Sequence, residues 1–350
     1  MTQIPKTMRG VQLIGHGGYE MLALRSDIPV PTPGKEQVLI RVSAAGVNNT
    51  DINTRIGWYS KNEQDSGDAG WGGSAISLPL IQGADVCGEI IAVGEGVPAS
   101  RIGERVIVEP SMHQFQGEKL DTPWYFGSEC DGGFAEYTRV DACYAHSINT
   151  KLSDTELASF PCSYSTAENL LTRAQVVKGD RVLITGASGG VGSAAVQLAK
   201  ARGAEVVAQT QLSKSAQLLA VGADSCVDRD DNLIEVWGKN HFDVVVDLVA
   251  GPGFNQLLEV LKPRGRYAVS GAIAGPLVEL DVRTLYLKDL SLFGGTIIDP
   301  EVFPNLIRRI EAGEIRPLVA ELFPLEQIEQ AQTHFLAKRH IGKIVLQVKS

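Results

Sequence analysis

The chain has little cysteine, scattered histidine and no concentrated positive charge. Its five cysteines, Cys87, Cys130, Cys143, Cys162 and Cys226, are odd in number and lack the close pairing of a zinc ribbon or a disulfide framework. They read as reduced thiols. The histidines at 16, 113, 146, 241, 334 and 340 stand singly, with no pair four residues apart, so a helix-borne His–His metal motif is excluded. Lys and Arg number 32 against 41 Asp and Glu, for a net charge of -9, and form no long basic block. Affinity for a phosphate backbone comes from neutralising many phosphates, so nucleic acid is not an expected partner. No run reaches the ~18 apolar residues of a membrane helix. Residues 1–10 are polar, with no apolar core after Lys6 and Arg9, and the expectation is a soluble, unexported, cytoplasmic chain that does not bind membranes.

What is abundant is glycine, 37 of 350 residues, above the ~7% average and without collagen period, so it marks turns and close backbone approaches. The length suits about two domains. From Gln37 to about Val140, short alternating runs such as Val38-Leu39-Ile40-Arg41-Val42, Arg105-Val106-Ile107-Val108 and Phe134-Ala135-Glu136-Tyr137-Thr138 are bounded by Gly, Pro and Asp; they predict a mainly antiparallel β domain. After Ser153, apolar strands at 181–184, 205–208, 243–246, 266–269 and 290–293 alternate with helical stretches, the pattern of a doubly wound parallel sheet. Residues 324–337 read as an amphipathic helix, followed by the basic turn Lys338-Arg339-His340 and a last strand from Lys343 to Val348. The expected division is residues 1–155, then 156–297 as the parallel domain, then 298–350 completing the first. Residues 57–79 form a long loop carrying Trp58, Tyr59 and Trp71, and its aromatics favour a functional role.

The strongest local signal is a buried strand running into Gly186-Ala187-Ser188-Gly189-Gly190-Val191-Gly192 and then a helix with Ala194, Ala195, Leu198 and Ala199 on one face. Gly186 permits the turn, Gly189 and Gly190 let the backbone approach a pyrophosphate, and Gly192 lets the helix pack on the sheet. The diphosphate then meets the free N–H groups of the helix N-terminus. A glycine trio alone would equally suit a tight turn; the strand–turn–helix context makes it a dinucleotide site. About twenty residues on, where an NAD site carries an acid, the strand ends Ala208-Gln209-Thr210-Gln211-Leu212-Ser213-Lys214. Thr210 and Ser213 can donate to a 2′-phosphate and Lys214 can neutralise it, so NADPH is the expected cofactor; the alternative is that Lys214 is a solvated residue at a helix start.

With these residues in view, the sequence resembles the medium-chain dehydrogenase/reductase superfamily and, within it, the zinc-independent quinone oxidoreductase branch. The resemblance spans Val11 to Val348. It rests on Gly46-Val47-Asn48-Asn49-Thr50-Asp51, on Gly83-Ala84-Asp85-Val86-Cys87-Gly88, on Gly132-Gly133-Phe134-Ala135-Glu136-Tyr137, on the glycine turn, and on His340-Ile341-Gly342-Lys343-Ile344-Val345-Leu346. It implies a Rossmann sheet inserted into a GroES-like β-barrel domain, and a homodimer formed edge to edge through residues 290–293. The superfamily's catalytic zinc ligands would fall at Asn48, Ala84 and Cys162, and only one of these is a thiol, so no metal is expected. A structural zinc lobe would need four close cysteines, and residues 111–131 offer only Cys130.

The resemblance further implies Asn48 as the residue orienting acceptor or nicotinamide, Asp51 fixing its loop, Thr50 relaying a proton and Tyr59 contacting the acceptor. Asn53 departs from the tyrosine common in that branch. For the cofactor it implies Thr166 beside the nicotinamide ribose, Arg229 at the adenosine phosphate, and Val249, Ser270, Gly271 and Ala272 lining the nicotinamide pocket. Phe293, Gly294 and Gly295 would end the sixth strand, and Lys343 would reach the pyrophosphate. The resulting expectation is NADPH-dependent, metal-free hydride transfer to a quinone or an activated enone or carbonyl. Alternatives are an enoyl-thioester (acyl-CoA) reductase, a zinc-type alcohol dehydrogenase, and a non-catalytic NADPH-binding protein.

Overall fold

Two units are defined by the computed structural model, which describes residues 4–60, 70–71 and 75–348. One comprises Met1–Cys162, Pro317–Arg339 and Lys343–Ser350; the other comprises Ser163–Arg316 and His340–Gly342.

In the second unit the apolar runs become strands buried on both faces. Val182, Leu183, Ile184, Val244, Val245 and Val246 are all fully buried, as a parallel sheet covered by helices requires. The spatial order is Ser225–Asp228, Glu205–Thr210, Arg181–Ile184, Phe242–Asp247, Leu261–Val269, Ser291–Gly294, every neighbouring pair parallel. That is the third, second, first, fourth, fifth and sixth strands in turn, the doubly wound order of a dinucleotide-binding fold. The helix Gly190–Ala201 buries Ala194, Ala195, Leu198 and Ala199 as its apolar spacing predicts.

This unit is longer than the expected 156–297. Its boundaries fall at Cys162/Ser163 and Arg316/Pro317. The helix Val302–Glu311 belongs here because it buries Val302, Phe303, Leu306 and Ile310, and its Arg309 lies 3.7 Å from Glu168, which also accepts from Arg202 at 2.8 Å. The short piece His340–Gly342 joins it through Gly342 N–H to the Ser188 carbonyl (3.4 Å) and the Lys214 ammonium to the His340 carbonyl (3.1 Å).

In the first unit a seven-stranded sheet runs Ala145–Ser147, Arg105–Val108, Asp85–Val93, Gln37–Gly46, Lys343–Gln347, Val319–Pro324, with Tyr137–Asp141 also paired to Gln37–Gly46. The C-terminal strand is antiparallel to Gln37–Gly46 and parallel to Val319–Pro324. A smaller sheet joins Leu22–Pro29, Thr7–Leu13 and Leu80–Ile81, and a hairpin pairs Ser111–Phe115 with Glu118–Tyr125. The expected run 134–138 is only partly strand: Phe134 and Ala135 pair with Val11 and Gly10, and the strand proper is Tyr137–Asp141. The expected helix 324–337 is Ile328–Leu336 behind a 3-10 turn, with Pro324 ending a strand. Two elements that position the site, the helices Asn49–Arg55 and Pro161–Arg173, were not anticipated. Of the aromatic loop, residues 61–69 and 72–74 lie outside the described residues.

Candidate active site

Two arrangements, one in each unit, gather the chemistry. In the parallel-sheet unit, the strand Arg181–Ile184 ends in Thr185 and turns at Gly186, whose φ of 58° is the left-handed region. A Cβ on Gly192 would stand 2.3 Å from the Gly186 carbonyl, so the helix start packs directly on the turn. Gly189 caps that helix in extended backbone and, having no side chain, places no cap on the first N–H groups, so the helix start offers donors and a positive dipole end to an anion. Ala187 is buried, while Ser188 and Val191 are half-buried. This backbone fits a pyrophosphate.

Around it the carboxyl ends of the strands converge. A Cβ on Gly186 would touch Val249 at 3.1 Å. Ser270 N–H donates to the Asp247 carbonyl (3.1 Å), Gly271 sits at φ 116° against Leu248, and Ala272 precedes a turn whose Ala274 N–H reaches the Val249 carbonyl. Phe293 and Gly294 end the sixth strand, and Gly295 N–H donates to Val269 (2.9 Å). Thr166 is half-buried on the helix Pro161–Arg173. The organiser of this region is a residue that sequence reading missed. Asp247 is fully buried, accepts from Thr185 Oγ1 (2.6 Å), Tyr267 Oη (2.5 Å) and the Val249 and Ala250 N–H groups (2.9 and 3.1 Å), and thereby shapes the loop bearing Val249. Its signal was a charged residue closing an apolar run.

At the end of the second strand, Arg229 N–H donates to the Thr210 carbonyl (2.9 Å), which brings these two expected residues together. Thr210 Oγ1 is buried with no hydrogen-bond partner among the described residues. Ser213 and Lys214 form the adjoining 3-10 turn, and the Lys214 ammonium reaches Ser188 Oγ at 3.5 Å. Burial, and then the neighbouring Arg229 cation, pull the Lys214 pKa down. The Arg229 guanidinium lies 3.6 Å from Asp230, on an exposed edge. The nearest carboxylate on the adjacent strand, Asp228, is occupied by the Leu212 and Asp230 N–H groups.

In the first unit a buried polar cluster forms where the strand Asp85–Val93, the helix Asn49–Arg55 and the C-terminal strand meet. Asn48 precedes that helix; its N–H donates to Asp51 Oδ2 (2.7 Å) and its Nδ2 to Asp85 Oδ2 (3.0 Å). The Lys343 ammonium donates to Asn48 Oδ1 and forms an ion pair with Asp85 Oδ2 at 2.7 Å. The Lys343 ammonium, which the resemblance directs to the pyrophosphate, is here turned to Asn48 and Asp85. Lys343 is only 2% exposed, so its ammonium requires a counter-charge, and the fully buried Asp85 supplies one. Asp85 Oδ1 also accepts from Cys162 N–H (2.6 Å). Asp51 is held by Asn48 N–H and, through its carbonyl, by Gln82 Nε2 (2.8 Å). Burial raises its pKa to about 7, Asp85 adds to this, and Lys343 opposes it.

Tyr59 lies against Thr50 and Asn53, which offset the effect of burial in raising its phenol pKa. Tyr125, also missed, donates from its hydroxyl to Cys162 Sγ (2.9 Å) and is stacked by Trp71 at 4.7 Å. Burial foremost, then Asp85, pushes the Cys162 thiol up to about 12. A catalytic zinc does not fit here. Ala84 has no donor, the Asn48 oxygen is taken by Lys343, and the one thiol, Cys162, leaves a tetrahedral site unfilled. Among the described residues no group of three His, Cys, Asp or Glu side chains is arranged to hold a metal.

A chain that carries a parallel sheet with this glycine cradle and a β domain with this buried cluster has the features of a pyridine-nucleotide-dependent oxidoreductase. Residues 34–150 match the alcohol dehydrogenase GroES-like domain family, and residues 190–312 the zinc-binding dehydrogenase family. The human quinone oxidoreductase is 30% identical over 355 residues, covering 97% of this chain and 98% of its own. The acryloyl-coenzyme A reductase of Metallosphaera sedula is 30% identical over 350 residues, covering 97% and 99%. A solved structure from Sinorhizobium meliloti, provisionally called an alcohol dehydrogenase, is 46% identical, with a TM-score of 0.91 over 99% of this chain and 98% of that one. The chain belongs to the medium-chain dehydrogenase/reductase superfamily.

Proposed function

We propose that the protein is an NADPH-dependent oxidoreductase that reduces a quinone or an activated enone or carbonyl without a metal. The observation that carries this reading is Asn48, at the position where the metal enzymes need a thiolate, with the Lys343 ammonium on its amide oxygen and Asp85 behind both. Bound NADPH supplies a hydride from its nicotinamide. The glycine cradle and the helix N-terminus would hold the pyrophosphate, Thr210, Ser213, Lys214 and Arg229 the 2′-phosphate, and Thr166, Val249 and Ser270 to Ala272 the nicotinamide side. Fixed amide and hydroxyl donors from Asn48, Thr50 and Tyr59 stabilise the negative charge that builds on the acceptor oxygen. Asp51 holds a proton near neutral pH and is suited to return one.

A second reading is favoured by the acryloyl-coenzyme A reductase similarity, namely reduction of an enoyl thioester on the same residues. NADPH consumption with a panel of quinones, enones and enoyl-CoAs separates the two. Tight NADPH binding with no turnover on any acceptor would overturn both in favour of a non-catalytic binding protein. The same reading includes a cytoplasmic homodimer. It is supported by the edge strand Ser291–Gly294 and the exposed apolar side chains that precede it, and no helix of the described residues is long and apolar enough to cross a membrane.

A further inference from the structure

The Asn48 carboxamide has a fixed orientation, and charge types alone determine it. An ammonium only donates, so Lys343 must face the amide oxygen; a carboxylate only accepts, so Asp85 must face the amide nitrogen. A primary amide nitrogen carries two hydrogens. One goes to Asp85 Oδ2, and the other has no protein acceptor among the described residues. A cation on the oxygen draws density through the amide and makes the remaining N–H a stronger donor, an effect that low local polarity enlarges. All three groups are at most 5% exposed, so their arrangement is set before any acceptor arrives.

The backbone enforces the same geometry. Lys343 opens the C-terminal strand, its N–H donating to the Leu318 carbonyl (2.8 Å), and that strand pairs with Gln37–Gly46, which leads straight into Asn48. Gly46 cannot carry a side chain here, since a Cβ would stand 2.5 Å from Asp85 Oδ2. The crowding keeps the Asp85 carboxylate within reach of both partners.

We propose that Lys343 is a positioning residue for the reduction, fixing the Asn48 carboxamide against Asp85 and polarising its remaining N–H toward the acceptor oxygen. This rests on the metal-free reductase reading above. It separates Lys343 from cofactor binding, which makes it testable. Lys343→Met leaves Asp85 buried without its counter-charge and is open to misfolding, so the neutral pair Lys343→Met/Asp85→Asn is measured beside it, together with Lys343→Arg. The expected result is that the neutral pair keeps its NADPH Kd, by fluorescence titration, within about threefold, while kcat falls by about tenfold or more, with partial recovery in Lys343→Arg.

The Asn48 side-chain amide resonances, assigned by their loss in Asn48→Ala, should shift in the neutral pair with NADPH bound or absent. A kcat within about twofold of wild type would overturn the proposal. So would a Kd for NADPH weakened about tenfold with kcat retained, which would return Lys343 to the pyrophosphate. If the wild-type enzyme reduces no acceptor at all, the functional reading falls by itself; the amide resonances then decide the positioning, and unchanged resonances would overturn it.

Discussion

Asp51 shares its buried cluster with a second carboxylate and a single ammonium, and it is the acid that burial forces upward, from 3.8 to about 7. A folded-state pKa above the unfolded one means that the native protein holds the proton more tightly. Stability from this group is therefore complete below about pH 4 and lost as pH rises toward 7, at up to roughly 1.4 kcal/mol per unit. Asp51→Asn, which keeps an acceptor for Asn48 N–H, should flatten that slope, with the variant gaining most on wild type above pH 7. Thermal unfolding from pH 4 to 8 checks this, and parallel curves would refute it. On the proposed reading, in which the cation of Lys214 meets the 2′-phosphate, Lys214→Ala should lower kcat/KM for NADPH by about tenfold to a hundredfold, yet change NADH within about threefold. Equal losses with both cofactors would remove Lys214 from specificity. The sequence singles out Lys214 because it follows a strand whose end lacks an acid. The contacts of Lys343 were not legible, since a lone lysine does not reveal that tertiary pairing will bury it on Asp85 and Asn48.

At the level of elements, the glycine turn shows how much local sequence fixes. Gly192→Ala would force a methyl to 2.3 Å from the Gly186 carbonyl and 2.6 Å from the Ala187 Cα, both backbone. The helix must tilt away, at a cost of ~2 kcal/mol or more, with NADPH affinity falling at least about tenfold. Unaltered melting and binding would mean that the helix start has slack. Asp247→Ala acts on the neighbouring loop. It removes the acceptor for the buried Tyr267 and Thr185 hydroxyls, which should cost ~3 kcal/mol and raise the KM for NADPH, as calorimetry and kinetics would show. The buried parallel strands were readable as apolar runs. Val319–Pro324 was not, because with Glu321 and Leu322 exposed it is an edge strand with little hydrophobic pattern. The helix Asn49–Arg55 was hidden for another reason. It is short and polar, buries Asp51, Thr54 and Arg55, and is held by contacts such as Arg55 Nε to Gln332 (3.1 Å) that no local propensity encodes.

For the whole molecule, the chain's three-block rhythm signalled a β domain interrupted by a parallel one, but the blocks' limits depend on long-range partners. The helix Val302–Glu311 and the turn at His340–Gly342 join the parallel unit through Glu168, Ser188 and Lys214, all far away in sequence. That unit also leaves something unfinished. Among the described residues its sixth strand, Ser291–Gly294, pairs on one side only, and an open strand edge is a template for another chain. Ahead of it, Leu277 is 91% exposed, Leu287 72%, and Ile273, Val282 and Tyr286 about as open as each other at 63%, 60% and 61%. So many large apolar groups in one stretch exceed the scattering normal for a monomer surface, and beside an open strand edge they suit a second copy of the same chain in a two-fold contact. Sedimentation velocity at micromolar concentration should return about twice 37.5 kDa. Leu277→Asp with Leu292→Lys should return the monomer with NADPH binding retained, because neither side chain belongs to the cofactor cradle. A wild-type monomer, or a double variant that still sediments as a dimer, would place the contact elsewhere or nowhere on this edge.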